Sequence, residues 1–384
     1  MEQAELYEKL RVMLGTGPNE IATGNAIGLP KHEVIYRLLS NMFTRQEAEL
    51  LVHGFQKAGE ARSLADISGA MGMSEPELKE ILDDMRYKGK IISSRGNYMV
   101  IPLYPGGFEV YFTRDRDDPE RKKKVAEAHF EFLELGLVQE YSTGGYSRFR
   151  VIPSAEPTER TIAINKPVDA EKTVLPYEIL KQHILNMKTD QFAVVPCPDR
   201  VAAKLAGRPC KRTDENFCVT AGPQVKGIVR QGIGKQVSLD ELMEILKRAE
   251  KEGLVHQTTN IQDSALFLCN CCSCCCPALI SFKKMGEAGA SARSNFEPRI
   301  DRDGCILCDE CVQICPMEAM YHHYPHREDG SDEYIMINTQ LCLGCGVCAT
   351  NCPSEAITLE KVREVNPLQS HGDLIERIAE SREH

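Results

Sequence analysis

A four-cysteine pattern occurs twice near the end of this 384-residue chain, and it constrains the fold more than any other feature. Three cysteines, each separated by two residues, are followed after three more residues by a Cys-Pro pair. The first copy comprises Cys305, Cys308, Cys311 and Cys315, and the second, 37 residues later, comprises Cys342, Cys345, Cys348 and Cys352. Glu318-Ala319 also recurs as Glu355-Ala356. The repeat predicts two similar halves that form one module.

This spacing is typical of bacterial ferredoxins with two [4Fe-4S] clusters, in which the fourth cysteine of each copy binds the other cluster. The predicted ligands are Cys305, Cys308, Cys311 and Cys352 for cluster I, and Cys342, Cys345, Cys348 and Cys315 for cluster II. Structural zinc is the alternative, because paired C-x2-C motifs also form tetrahedral sites. Two evenly spaced runs that both end in Cys-Pro fit iron–sulfur clusters better.

The two loops differ in residues that should tune the clusters. Gly344 and Gly346 permit a tight loop in the second copy, where the first copy has Leu307 and Asp309. Asp309 and Glu310 also add negative charge. A carboxylate ~8 Å from a cluster, at an effective dielectric of ~20, opposes electron addition by about 2 kcal/mol. That energy corresponds to roughly 90 mV before screening, so we expect cluster I to be the more reducing one.

The distribution of the seventeen cysteines indicates metal ligation rather than disulfides. Fourteen lie between Cys269 and Cys352, whereas dense disulfides belong to small secreted domains. The acidic start, Met1 to Glu5, lacks the basic and apolar regions of a signal peptide. No stretch reaches the ~20 apolar residues of a membrane span. These features predict a cytoplasmic protein.

Nine cysteines lie outside the repeat and are candidate ligands of one or two further clusters. They are Cys197, Cys210, Cys218, Cys269, Cys271, Cys272, Cys274, Cys275 and Cys276. Successive side chains of an extended segment point in opposite directions, so the last six cannot all bind one cluster. Two sites, or one site with spare thiols, are implied, and a buried apolar role is the alternative for single cysteines. We predict a third [4Fe-4S] cluster and consider a fourth.

The distribution of charge favours protein partners over nucleic acid. The net charge is −10, and the stretch from Ile300 to Lys361 contains eleven acidic and three basic residues. Such a surface suits docking on basic partners and repels nucleic acid.

The N-terminal part has the pattern of a winged helix. Thr44 and Glu47 have capping-box spacing before one helix, a second helix follows from Leu64, and Ser74 with Glu77 opens a third. Two short strands, Ile91–Ser93 and Tyr98–Ile101, complete the pattern. Acidic residues at the start of the third helix disfavour DNA, because phosphate would be repelled. They favour a protein-docking or structural module.

We predict an α+β multidomain chain with a winged helix, a central mixed α/β Cys-rich domain, and a C-terminal bacterial-type dicluster ferredoxin of pseudo-twofold ββα repeats. The predicted bounds are 1–104 for the helical and winged-helix domain, 105–165 for an α/β connector, 166–295 for the Cys-rich domain, 296–362 for the ferredoxin domain and 363–384 for a polar tail, which could contain a short helix.

The middle of the chain gives coarser predictions. Strands are expected near Phe149–Ile152, Thr161–Ile164, Phe192–Val195 and Ala265–Leu268, and helices near Tyr177–Met187 and Leu239–Glu252. The basic run Arg121–Lys124 is interpreted as the solvated start of a helix. His256 is expected to be buried and hydrogen-bonded, with ligand or proton carrier as alternatives. His322, His323 and His326 are assigned to an exposed hairpin without a role.

The chain resembles a family of ferredoxin-type iron–sulfur proteins from anaerobes that combine a winged helix, a cysteine-rich domain and a dicluster domain. The residues that carry the resemblance are Met42-Phe43-Thr44, Val174-Leu175-Pro176-Tyr177-Glu178, Gly253-Leu254-Val255-His256-Gln257, the run from Cys269 to Cys276, Ser294-Asn295-Phe296 and the cysteine repeat. The family's central domain begins with C-x-C-R, where this chain has Cys197-Pro198-Asp199-Arg200. The resemblance implies extra clusters and electron transfer.

We therefore expect a non-catalytic electron-transfer subunit that passes low-potential electrons to or from a partner oxidoreductase. No Gly-rich nucleotide motif lies between a strand and a helix. The alternatives are a redox-sensing DNA-binding regulator and a reductase with a catalytic cluster in the Cys-rich domain.

Overall fold

The computed structural model describes residues 2–15, 29–136, 146–158, 178–262, 267–286, 290–324 and 333–380. The chain divides into two compact units. Unit 1 comprises Met1–Tyr146, Pro196–Cys210 and Ile375–His384, and unit 2 comprises Ser147–Val195 and Lys211–Leu374. This division differs from the predicted domains, because the segment with Cys197 and Cys210 belongs to unit 1.

Unit 1 is mainly helical. Its elements are α1 (Gln3–Gly15), α2 (Glu33–Met42), α3 (Arg45–Gly54), β1 (Ala61–Arg62), α4 (Leu64–Met71), α5 (Glu75–Lys88), β2 (Ile92–Ser94), β3 (Asn97–Met99), α6 (Phe108–Arg114), α7 (Pro119–Glu134) and α9 (Pro198–Leu205). The three short strands form one antiparallel sheet in the order β1-β3-β2.

Local sequence signals account for the helix ends in unit 1. Thr44 and Glu47 form the predicted capping box, in which each side chain bonds to the other residue's backbone amide. Ser74 occupies the N-cap position of α5, where the sequence predicts the helix to open, but it makes no side-chain capping bond. The helix nevertheless starts at that point, since Pro76 suits its first turn. It ends at Gly89, whose left-handed φ of 85° favours glycine.

The basic run at the start of α7 is only partly solvated, which corrects the prediction for one residue. Lys122 is buried at 1% exposure. Its ammonium lies 2.8 Å from an Asp115 carboxylate oxygen and donates to the Tyr111 carbonyl at 3.2 Å. A buried lysine needs such partners to offset its lost hydration.

Unit 2 combines a large mixed sheet with two small ones. Its helices are α8 (Leu180–Asn186), α10 (Val225–Arg230), α11 (Leu239–Lys251), α12 (Pro277–Met285), α13 (Glu310–Ile314) and α14 (Val347–Thr350), and α15 (His371–Glu380) begins in it. Its strands are β4 (Phe149–Ile152), β5 (Phe192–Val195), β6 (Cys218–Ala221), β7 (Lys235–Val237), β8 (Val255–Thr259), β9 (Phe267–Cys271), β10 (Ser291–Ala292), β11 (Phe296–Ile300), β12 (Met320–His323), β13 (Tyr334–Ile337) and β14 (Ile357–Lys361).

The large sheet has the order β10-β4-β8-β9-β6-β5-β7, and only the β10–β4 pairing is parallel. Leu180, Ile184, Leu242 and Leu246, from α8 and α11, pack with apolar residues of this sheet. The small sheets β11–β14 and β12–β13 are antiparallel. Both flank the segments that contain the cysteine repeat, so they position it.

Several predictions concern residues outside the described ranges. These are the strand Thr161–Ile164, the segment Val174–Tyr177 and His326. The tail does contain a helix, α15. Within the described part of the chain, no helix is long and apolar enough to cross a membrane.

Candidate metal centre

The two cysteine copies follow the same backbone path. The first lies between β11 and the strand β12, and the second lies between β13 and β14. Each contains one short helix, α13 or α14, on which the third cysteine of the copy sits. The fourth cysteine follows that helix directly or within two residues. The sequence repeat is therefore also a structural repeat.

The loops have equal backbone conformations despite their different residues. Leu307 and Asp309 have φ values of 53° and 58°, and Gly344 and Gly346, at the equivalent positions, have 66° and 79°. Left-handed backbone strains most residues other than glycine, whereas aspartate tolerates it comparatively well. The sequence difference thus leaves the loop geometry unchanged and places local strain in the first copy.

The structure brings the cysteines together in two crossed sets, in each of which the fourth cysteine comes from the other copy of the repeat. Cys305, Cys308, Cys311 and Cys352 line one recess with Ile300, Ile335 and Ile357. In the other set, the thiols of Cys315 and Cys342 are electrostatic neighbours of Cys345 and Cys348. Cys308 is exposed, whereas Cys342, Cys348 and Cys315 are buried. The first set therefore lies nearer the solvent.

The thiols are in surroundings that disfavour a free thiolate. Burial and the neighbouring thiols raise the pKa of Cys311 to about 12. Burial is also the main cause of a raised pKa for Cys342, Cys345 and Cys348. A buried thiolate needs a nearby positive charge, and metal binding supplies one while releasing the thiol protons. Four converging thiols per set fit the ligand requirement of a [4Fe-4S] cluster.

Backbone amides point at two of the sulfurs. Gly344 N–H donates to Cys342 Sγ at 3.4 Å, and Ala319 N–H donates to Cys315 Sγ at 3.3 Å. Hydrogen bonds to sulfur ligands raise cluster potentials. The repeated Glu-Ala pair thus contributes through the alanine amide in the first copy.

Ser294-Asn295-Phe296 fixes the second loop, a role that sequence reasoning missed. Ser294 N–H donates to the Leu343 carbonyl at 3.0 Å, and its hydroxyl donates to the Gly344 carbonyl at 2.6 Å. A Cβ on Gly344 would overlap the Phe296 carbonyl oxygen. Only glycine fits at this position.

Two further residues that the sequence did not indicate hold the same region. Ser154 bonds to the Cys345 carbonyl through both its amide, at 2.9 Å, and its hydroxyl, at 3.1 Å. Arg212 donates to the Cys315 carbonyl at 3.1 Å. Both come from distant parts of the chain, so no local pattern could identify them.

The central cysteines fall into separate groups. In unit 2, Cys218, Cys269, Cys271 and Cys276 interact through their thiols. The sulfurs of Cys272, Cys274 and Cys275 lie within 4.8 Å of one another. Cys197 and Cys210 are in unit 1, where Cys197 precedes α9. The expectation that six crowded cysteines divide between groups therefore agrees with the geometry.

His256 is buried and hydrogen-bonded, as expected. Its Nδ1 lies 2.6 Å from the Asn270 side-chain oxygen, and its Nε2 lies 3.0 Å from a Glu250 carboxylate oxygen. Glu250 also accepts from the Ala155 amide at 3.0 Å. The ring bonds to no cysteine in these contacts.

His322 differs from its prediction as an exposed residue. Its side chain is only 9% exposed, and Nδ1 lies 2.8 Å from an Asp309 carboxylate oxygen. It stacks on Tyr324 with ring centres 4.1 Å apart. The histidine therefore contacts one of the two acidic residues predicted to tune cluster I.

Comparisons with known proteins agree with the cysteine geometry. Residues 304–356 match the family described as 4Fe-4S dicluster domain, which indicates two [4Fe-4S] clusters. The remaining cysteines fit additional clusters.

Three relatives are oxidoreductase subunits. Pyruvate synthase subunit PorD of Methanothermobacter marburgensis is 38% identical over 66 residues, which is 17% of this chain and 68% of the relative. PorD of Methanocaldococcus jannaschii is 36% identical over 69 residues, covering 18% and 70%. The NADH-dependent phenylglyoxylate dehydrogenase subunit delta of Aromatoleum evansii is 32% identical over 59 residues, covering 15% and 55%. No solved structure matches this chain.

Proposed function

Because this chain belongs to the ferredoxin-type 4Fe-4S family, we propose that it is an electron-transfer subunit. It relays low-potential electrons through its clusters to or from a partner oxidoreductase in the cytoplasm. The observation that carries this proposal is the convergence of two crossed sets of four thiols in one unit. Relatives that are themselves subunits of oxidoreductases support it.

The proposed ligands follow the crossed arrangement. Cys305, Cys308, Cys311 and Cys352 hold cluster I, and Cys342, Cys345, Cys348 and Cys315 hold cluster II. A bound [4Fe-4S] cluster supplies a site that gains or loses one electron. The chain's own residues exclude water from cluster II, donate amide hydrogen bonds to its sulfurs, and keep the two sites in one apolar core that includes Cys311, Cys315 and Cys348.

Cluster I is the proposed point of electron exchange with the partner. Cys308 is exposed, and Ile306 beside it has 64% of its surface in solvent. Acidic residues surround this apolar contact in the sequence. A partner with a basic rim and an apolar centre would match this surface.

Unit 1 is proposed to be a docking module. The order of α3, β1, α4, α5 and the β2–β3 hairpin is that of a winged helix. Glu75, Glu77 and Glu80 are exposed at the start of α5, where phosphate would be repelled. This supports a protein partner over DNA.

The proposal is tested by anaerobic purification of the full chain, with iron and sulfide counted per chain and EPR spectra recorded after dithionite reduction. We expect at least about eight irons, at four per cluster, and signals of reduced [4Fe-4S] centres. Colourless, iron-free protein without an EPR signal would overturn the proposal.

The crossing has its own test. Cys305→Ser combined with Cys352→Ser should remove about four irons, no more than either change alone, because both residues bind cluster I. Cys305→Ser combined with Cys315→Ser should remove about eight, because these two residues bind different clusters. If the first pair removes eight and the second four, the fourth cysteines do not cross.

A further inference from the structure

We propose that Cys218, Cys269, Cys271 and Cys276 hold a third iron–sulfur cluster, inside unit 2 and separate from the cysteine repeat. This inference deepens the proposed function, on which it rests, by adding a third redox centre to the electron-transfer path. It also selects four ligands among the nine cysteines outside the repeat.

Strand geometry places three of these cysteines on one face of the large sheet. Cys269 and Cys271 are two residues apart in β9, so their side chains point to the same side. β6 and β9 are antiparallel, with Val219 opposite Leu268 and Thr220 opposite Phe267. The next pair in this register is Cys218 with Cys269. Cross-strand partners of this kind have neighbouring side chains.

The fourth cysteine reaches the same site from the start of α12. The chain turns after β9, with the amides of Cys275 and Cys276 bonded to the Cys272 carbonyl at 3.4 and 3.1 Å. This turn returns Cys276 to the sheet, where Gln257 Nε2 lies 3.8 Å from its sulfur. Gln257 is paired with Cys269 in the β8–β9 ladder. A thiolate at Cys276 would also face the positive end of the α12 helix dipole.

The side-chain contacts agree with this placement. The Cys269 thiol interacts with those of Cys218 and Cys271, and the Cys271 thiol also interacts with that of Cys276.

The neighbouring cysteines point elsewhere. Cys272 lies just beyond the end of β9, in the turn that leads to α12. With Cys274 and Cys275 it forms the group whose sulfurs lie within 4.8 Å of one another. Asn270, between the two strand ligands, likewise faces His256. Alternation along β9 thus separates Cys269 and Cys271 from Asn270, and the turn after β9 holds Cys272, Cys274 and Cys275.

Iron–sulfur chemistry is favoured over structural zinc by what surrounds the site. Cys271 and Cys276 belong to the same apolar core as Cys311, Cys315 and Cys348 of the repeat. The Ser273 hydroxyl donates to the Pro316 carbonyl, next to Cys315. A redox centre here would share one apolar core with the two ferredoxin clusters and could exchange electrons with them. A purely structural zinc ion has no need of that position.

The test uses the full chain, purified anaerobically, with iron, sulfide and zinc counted per chain and EPR recorded after dithionite. We expect at least about twelve irons in the unchanged protein, at four per cluster. Cys218→Ser and Cys271→Ser should each lose about four, and the double variant no more than either one. The EPR signals of clusters I and II should persist in all three. Cys274→Ser is the matched control, and should keep the irons that Cys218→Ser loses.

Other results would overturn the inference. If Cys218→Ser and Cys271→Ser leave the iron count unchanged, these cysteines do not bind a cluster. One zinc per chain that disappears in these variants identifies a zinc site instead. A count of about eight irons without zinc in the unchanged protein rules out the site even if the variants fail to fold. In each case the signals of clusters I and II would survive, whereas failure of the proposed function would abolish them.

Discussion

Single residues decide how closely the loops can approach the backbone around them. Gly344 combines left-handed backbone, with φ of 66°, with direct contact against β11. Gly72, at the end of α4, is also left-handed, with a φ of 63°, but has no atom within 4 Å of the position of an added Cβ. Comparing the two separates the cost of backbone strain from the cost of overlap.

Gly344→Ala should therefore cause loss of cluster II, seen as about four fewer irons per chain. Gly72→Ala should cost only the roughly 1–2 kcal/mol of left-handed backbone and keep all iron. Both are measured by iron content and urea unfolding under anaerobic conditions. Full iron retention in Gly344→Ala would contradict the tight approach between the loop and β11.

Asp309 is the residue through which charge should tune cluster I. Asparagine tolerates left-handed backbone as aspartate does, so Asp309→Asn removes the charge while keeping the loop. With Glu310→Gln, we expect the midpoint potential of cluster I to rise, by at most about 90 mV per carboxylate before screening. Spectroelectrochemical titration measures both midpoints.

Asp303→Asn is the control for this change, since Asp303 carries the same charge but does not line the recess of Cys305, Cys308, Cys311 and Cys352. Unchanged midpoints in the Asp309 and Glu310 variants would show that these carboxylates do not set the potential.

At the scale of elements, β14 connects the second cysteine copy to the rest of unit 2 through a buried ion pair. Lys361 Nζ lies 3.1 Å from a Glu178 carboxylate oxygen, and both side chains are less than 5% exposed. Asn295 Nδ2 donates to the other Glu178 oxygen at 2.6 Å. On the same strand, Glu360 pairs with Arg299 at 2.6 Å, but both side chains are more than 40% exposed.

Glu178→Gln should lower the free energy of unfolding by roughly 3 kcal/mol, because the buried Lys361 ammonium loses the charge of its buried carboxylate partner. Glu360→Gln should cost at most about 1 kcal/mol, since an exposed pair contributes little. Urea unfolding of the iron-loaded protein compares them. Equal costs would mean that burial does not distinguish the two pairs.

At the scale of the whole molecule, the two units should respond differently to loss of iron. Cysteines of both copies form part of the apolar core of unit 2. In unit 1, α1 to α5 pack through leucine, isoleucine, methionine and phenylalanine side chains. Loss of clusters I and II would therefore remove packing partners from the core of unit 2.

Chelation of iron should increase hydrogen exchange in β11, β14 and the adjoining loops by about tenfold or more, equivalent to about 1.4 kcal/mol. Exchange in α2 to α5 should stay the same. Hydrogen–deuterium exchange with mass spectrometry, before and after anaerobic chelation, gives the comparison. Equal loss of protection in both units would show that unit 1 also depends on iron.

Local signals predicted much of the secondary structure. A capping box indicated α3, an apolar face indicated α5, and the sequence also predicted the helix α11. The predicted strand Phe149–Ile152 coincides with β4. The same reasoning failed for Lys122 and His322, because the partners that bury them come from other segments. It also could not place Ser154 and Ser294 against the second loop.

The sequence alone determined which chemistry this protein can support, because the spacing of eight cysteines is a local property that already indicates two [4Fe-4S] clusters. Tertiary structure decided the rest: which distant residues hold the loops, which carboxylate pair is buried, and how the crowded central cysteines divide. The physical reason is that strand register and side-chain alternation act between segments far apart in the chain. Cys218 and Cys269 become neighbours only when β6 pairs with β9.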